Sequence, residues 1–321
     1  MARKLRMVLG MASLVMVMAV LASEARAEKK IGVLLFSDEV RYQESRNAVL
    51  DQLKKAGFGE PAVKYLEENA GGNKAKAAEL AQKLSAAKPD MVIAVGTSAA
   101  VAAAKEIKTV PVIFTMVYDP VDSKIAESWS SSGNNTTGSS PRVPMGKLLS
   151  ELKQLAPVKK LAVLYTPGEK NSETQLKDIQ AEQASTGVKV VPVPLSTKEE
   201  VSQMMADVVG SSDAVYLTGS NIVGGAISVI IDTSTKAKVI TVTHLDDYVE
   251  KGVMLGVCAN AHAVGQLAGE KAVKVMKGAK PSSVPIEALK KMDVILNAKT
   301  ARTAQIQVPA AFKATVTKTI E

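Results

Sequence analysis

Three short stretches carry side chains whose types and order suit the capture of a small charged molecule. Gly96-Thr97-Ser98 follows the apolar run Met91–Val95 and opens a predicted helix. The first N–H groups of a helix have no intrahelical partner, so two hydroxyls at that place favour a bound carboxylate. Tyr118-Asp119 follows the next predicted strand, Val110–Val117. Adjacent parallel strands lie ~4.8 Å apart, so Asp119 is expected to hold an ammonium beside a carboxylate at Ser98, with Tyr118 over the ligand's side chain. Tyr165, Asn171 and Ser172 repeat the pattern of strand end and helix start in the second half of the chain. The competing reading is that Ser98, Asn171 and Ser172 only cap helices and Asp119 only fixes the Asp119-Pro120 turn.

Other chemistries lack their residues. There is no G-x-x-x-x-G-K-[ST] phosphate loop and no G-x-G-x-x-G turn. With only His244, His262 and Cys258, neither a zinc site of usual spacing nor an internal disulfide can be built, and no metal or cofactor is expected. Ser98 sits where a hydrolase nucleophile would sit, but Gly96-Thr97-Ser98-Ala99-Ala100 lacks the closing glycine of G-x-S-x-G. A Ser98…Asp…His244 triad is therefore only a minor enzymatic alternative, and no enzyme is expected. Thr243-His244-Leu245-Asp246-Asp247 reads either as a base beside carboxylates or as a loop capping the next helix. The eleven aromatic residues are too few for a nucleic-acid stacking surface. Phe36, Phe114, Tyr118, Tyr165 and Tyr216 fall at or just past predicted strand ends, where open α/β sheets bind ligands.

The elements that must position these residues alternate regularly. Residues 1–27 have the build of a secretory signal peptide: Arg3, Lys4 and Arg6, then an uncharged run from Met7 to Ala22, then Ala25-Arg26-Ala27 before a cleavage site. An uncleaved anchor is the alternative. Cleavage would remove four basic residues against Glu24 and leave a weakly basic chain, which does not imply nucleic acid. After it, strands are expected at 31–36, 62–66, 91–95 and 110–117, with helices at 40–55, 74–87 and 98–105 between them. A Ser/Gly/Asn/Thr-rich crossing at 128–144 follows. The alternation then resumes, with strands at 161–165, 188–193, 214–217, 239–242, 253–257 and 293–297. Such alternation predicts right-handed βαβ units, hence an α/β fold of two Rossmann-like lobes with parallel sheets and a ligand cleft between them. The first lobe is expected over 28–140 plus 259–283 and the second over 141–258 plus 284–321.

The motifs then resemble one family. Ala94-Val95-Gly96-Thr97-Ser98-Ala99-Ala100, Val110-Pro111-Val112-Ile113-Phe114 and Asp119-Pro120-Val121 are similar to successive signatures of periplasmic ABC transporter substrate-binding proteins, in the group that includes tryptophan- and tyrosine-binding members. Gly133–Gly138 resembles that group's G-N-x-T-G crossing, and Tyr165–Ser172 its second-lobe ligand loop. Ser220-Asn221 stands where the group usually has Asp-Asn, Asn260 where it has an acidic residue, and Asp122-Ser123 where a glycine is common. The resemblance implies a periplasmic binding protein type 1-like architecture and a receptor that hands an amino acid or similar zwitterion to an ABC permease and ATPase complex. It implies a periplasmic monomer that binds no nucleic acid. An exported sensor for a membrane receptor is the alternative. The expected ligand set is Thr97, Ser98, Tyr118, Asp119, Thr137, Tyr165, Asn171, Ser172, Ser220, Asn221 and Asp246.

Overall fold

The computed structural model describes residues 28–321; the signal-peptide reading concerns residues outside that range. The first sheet is built on β1 (Lys29–Leu35), whose inner residues are all buried, as expected of a strand covered on both faces. Around it lie β2 (Val63–Asn69), β3 (Met91–Val95) and β4 (Val112–Thr115), all parallel. Next comes β5 (Thr136–Ser140), and β11 (Glu287–Ala288) closes the edge, giving the order β11-β5-β4-β3-β1-β2.

The second sheet has the order β13-β12-β10-β9-β8-β6-β7. Its strands are β6 (Lys160–Tyr165), β7 (Lys189–Pro194), β8 (Ala214–Leu217), β9 (Ile240–Thr243), β10 (Leu255–Cys258), β12 (Asp293–Asn297) and β13 (Lys318–Ile320). Strands β6 to β10 are parallel, and β12 runs antiparallel to β10 because the chain re-enters this sheet without a crossover helix. The chain crosses between lobes three times, after Ser140, after Cys258 and after Ala288. The last crossing corrects the expected boundary: residues 287–288 pair with β5, so the first lobe runs five residues past 283.

Strand β5 was read from the sequence as part of an irregular crossing. It reads Thr-Thr-Gly-Ser-Ser, yet all five residues are buried. Burying hydroxyls without partners is costly, and here each is satisfied. Thr136 donates to the carbonyl of Ile125, Thr137 to Val284, Ser139 to Val264 and Ser140 to Tyr118. Thr137, expected at the ligand, is therefore a member of this network and ties β5 to the segment that leads into β11, at 2.7 Å.

Two helices matter most for the cleft. Helix α1 (Val40–Lys55) follows β1 and packs along α11 (Ala261–Met276). Helix α3 (Thr97–Glu106) starts directly after Gly96, whose φ of +93° is a conformation that L side chains rarely adopt. On β10, Cys258 is fully buried, and burial pushes its thiol well above the ordinary range. Because only the thiolate is nucleophilic, Cys258 is expected to stay unlabelled by a thiol reagent in the folded protein. Stoichiometric labelling without denaturant would contradict that burial.

Candidate ligand cleft between the lobes

The carboxyl ends of both sheets face each other, and the side chains between them enclose two small adjoining cavities. The first is lined by residues including Arg41, Tyr42, Thr97, Tyr118, Gln175 and His244; the second by Phe36, Glu39, Ser98, Glu169 and Asn221, with Tyr42, Thr97, Asn171 and Gly219 common to both. Their free volumes, about 20 and 10 Å³, hold roughly a water each. Spaces this small admit a molecule larger than water only when the lobes part.

Each wall has a local cause. The turn at Gly96 lets α3 begin against the cleft, which brings Thr97 and Ser98 to it, and Tyr42 packs where a Cβ on Gly96 would stand, 2.9 Å away. Arg41 and Tyr42 lie in the first turn of α1, one turn after the end of β1. In the second lobe, Asn171 and Gln175 lie four apart on α5 (Lys170–Ala181) and face the same way. Both are anchored on the loop after β8: Asn171 Nδ2 donates to the Gly219 carbonyl at 2.7 Å, and Gln175 Oε1 accepts the Gly219 N–H at 2.8 Å.

Charge across the cleft is dense. Arg41 is fully buried and donates to Asp247 at 3.0 Å and to Glu39 at 2.5 Å, with its guanidinium between the rings of Tyr42 and Tyr248. Burial opposes that charge, but Asp247 and Glu39 more than offset it, so Arg41 stays charged. Burial raises the pKa of the Glu169 carboxyl, and Glu39 across the cleft adds to the rise. His244 is held near pKa 3 by burial and by Arg41, so it is neutral. Its Nδ1 bonds the Tyr216 hydroxyl at 2.6 Å, and its ring meets Tyr118 edge-on at 5.3 Å.

The expected ligand residues divide. Thr97, Ser98, Tyr118, Asn171 and Asn221 line the cavities. Asp119 does not. Its Oδ1 accepts the N–H groups of Val121 and Asp122, its Oδ2 pairs with Arg142, and it opens onto an outer groove. The Asp-Pro turn and a rim ion pair occupy the carboxylate that was expected to meet an ammonium. Arg142 also pairs with Asp178 of the second lobe at 2.8 Å, and Tyr118 donates to Asp178, so this cluster joins the lobes at the rim. Ser172 and Ser220 are fully buried beneath the surface. Ser172 bonds Thr218 and accepts the Thr166 N–H, and Ser220 caps the short helix Asn221–Gly225. Asp246 accepts the Ala261 N–H at the second crossing, and Tyr165 packs half-buried against the core. The hydrolase arrangement is not assembled either, since His244 Nδ1 is engaged by Tyr216 rather than by a carboxylate.

Reading the sequence missed Glu39, Arg41, Tyr42, Glu169 and Gln175. An arginine beside a tyrosine just inside a helix that starts at a strand's carboxyl end was the available signal for two of them.

Two parallel-sheet lobes, three crossings and a polar, aromatic-walled cleft at the strand ends define a two-lobed solute receptor. The chain belongs to the ABC transporter substrate binding protein family, whose model matches residues 30–320. Members of this family bind solutes and are not enzymes. A tyrosine-binding protein of Clostridioides difficile is 25% identical over 287 residues, covering 89% of this chain and 83% of that protein. A crystal structure of an ABC domain in complex with L-Trp from Streptococcus pneumonia superposes with a TM-score of 0.87 at 26% identity, covering 92% of this chain and all of that one. The ligand-free, open structure of a substrate-binding protein with adhesive properties from Clostridium difficile gives 0.72 at 27% identity, over 91% of this chain and all of that one. At nearly equal identity, 26% and 27%, the ligand-bound relative fits better than the open one, in keeping with lobes that stand closed here.

Proposed function

We propose that this protein is an extracytoplasmic receptor that captures a small amino-acid-like zwitterion and delivers it to the permease and ATPase of an ABC importer, acting as a monomer exported by its leader. The observation that carries this reading is the opposition of two unlike ends within one cleft. The start of α3 offers Thr97, Ser98 and unpaired backbone N–H groups to a carboxylate. Glu39 and Glu169 line the same cavity and offer negative charge to an ammonium. Phe36, Tyr42 and Tyr118 supply the apolar cover. Thr97 Oγ1 already accepts a long contact from the Tyr118 N–H at 3.4 Å, which a stronger ligand contact would replace. Relatives that bind tyrosine and L-Trp make a zwitterion the natural class. The departures at Ser220 and Asn260 are reasons to expect a different side chain on the solute.

Native mass spectrometry of freshly purified protein is expected to release a solute carrying both an amine and a carboxylate. Small-angle scattering is expected to show a smaller radius of gyration when that solute saturates the protein, because ligand shifts the population toward closed lobes. A neutral sugar in the mass spectrum would remove the zwitterion, and an unchanged radius would remove hinge closure.

A further inference from the structure

We propose that Glu39 and Glu169 are the specificity-determining residues for a cationic amine, one carboxylate supplied by each lobe, and that closure requires a cation between them. This rests on reading the cleft as a zwitterion site. Glu39 precedes α1 in the first lobe, and Glu169 precedes α5 in the second. Both line the cavity that also holds Phe36, Tyr42 and Ser98. Glu169 is 8% exposed, and its Oε2 accepts the Asn221 N–H at 3.1 Å. Among the described residues no lysine or arginine forms an ion pair with it; Lys74 stays on the exposed rim, donating to the Gly168 carbonyl. Arg41 cannot serve both glutamates, because it already answers Glu39 and Asp247. Arg41 thus meets two of the three carboxylates, Glu39 and Asp247; Lys251 reaches only Asp247, at 3.5 Å, and Lys74 acts on Glu169 from the rim without forming an ion pair. Glu169 is left at the cavity wall with no ion-pair partner among the described residues.

The like charges come together only when the lobes close. In the open cleft water screens them; in the closed cleft the lower dielectric strengthens their repulsion. A ligand ammonium between them removes the repulsion. A ligand of similar shape without an amine leaves the repulsion in place and does not hold the lobes shut.

Glu169→Gln tests this, because the amide oxygen can still accept the Asn221 N–H. Wild type and variant are stripped of solute by unfolding and refolding, their folds are compared by circular dichroism, and their radii of gyration are measured. The stripped variant is expected to be more closed than stripped wild type. The twenty standard amino acids are then screened by thermal shift. The strongest binder is expected to lose about 30-fold in affinity on Glu169→Gln, and its des-amino analogue less than threefold. If no amino acid binds, the zwitterion reading fails, and methylammonium chloride decides the carboxylate pair. It should compact wild type and not the variant, with equimolar sodium chloride compacting neither. Equal radii for stripped wild type and variant, or equal losses with and without the amine, would overturn the proposal. Should Glu169→Gln fail to refold, Glu39→Gln is read by the same criteria.

Discussion

Arg41→Met is expected to weaken solute binding by about a hundredfold or more while moving the thermal midpoint of the solute-free protein by less than about 2 °C. Arg41 is in the first lobe, Asp247 in the second, and both are buried when the lobes meet. Removing one partner of a buried ion pair typically costs ~3–5 kcal/mol, because the other charge is left without an answer. Asp247 has little reserve: its Oδ1 already lacks a hydrogen-bond partner, and Lys251 reaches Oδ2 only at 3.5 Å. Parting of the lobes separates Asp247 from Arg41 and opens it to water, so that cost falls on closure, and Glu39, which loses its partner within the first lobe, is only half-buried. Since each ~1.4 kcal/mol is tenfold in affinity, titration calorimetry with the co-purified solute reads the loss directly. The double variant Arg41→Met/Asp247→Leu is expected to recover part of the binding, because apolar replacement of a buried pair is often close to neutral, while Glu39 stays without the guanidinium that it pairs with. No recovery would place Arg41 on the solute instead. A large fall in the midpoint with intact affinity would make the pair a fold element.

The architecture was largely legible because its parallel strands are covered on both faces. Met91–Val95 and Ala214–Leu217 are wholly buried apolar runs, and their bounds agree between sequence and structure. The start of α1 at Val40 was also legible. What failed has one physical origin: buried polarity satisfied by partners far along the chain. Strand β5 looks like a loop because its four hydroxyls depend on carbonyls of Ile125, Val284, Val264 and Tyr118, which no local pattern announces. The edge strands β11 and β13 are two and three residues long and carry no periodicity at all.

The site divided on the same ground. Residues presented by backbone geometry, such as Thr97 and Ser98 after the Gly96 turn, could be placed from order and spacing. Asp119 could not, because Arg142 arrives 23 residues later to occupy it. Arg41 looked like an ordinary polar residue of an amphipathic helix, since its partner Asp247 lies 206 residues away and meets it only across the closed cleft.

Gly265→Ala is expected to destabilise the first lobe by about 3 kcal/mol and to misplace Arg41 and Tyr42 as well. Helix α11 crosses α1 closely enough that a Cβ on Gly265 would lie 2.2 Å from the Ser45 carbonyl oxygen and 2.8 Å from the Ala48 Cβ. These are a backbone atom and a short side chain, so neither can swing away and the helices must separate. Overpacking of this kind typically costs ~1–3 kcal/mol and occasionally more, and contact with backbone puts Gly265 at the upper end. Alanine's better helix propensity returns only up to ~1 kcal/mol. At roughly 2–4 °C per kcal/mol for chains of this order of size, the midpoint should fall by about 6–12 °C. Ser45 Oγ also bonds Thr115 Oγ1 at 2.7 Å, so a displaced α1 pulls on β4 and carries its own first turn, with Arg41 and Tyr42, out of register with the second lobe. Solute affinity should therefore fall together with stability, unlike the Arg41→Met result. Gly210→Ala is the matched control. It lies in the helix Lys198–Ser211 with nothing within 4 Å of its Cβ position, so the same chemical change should raise the midpoint slightly through propensity alone. Calorimetric scans of the two variants should therefore shift in opposite directions from wild type. A shift of the same sign in both would mean that backbone entropy, and not the contact between α1 and α11, decides the effect at Gly265.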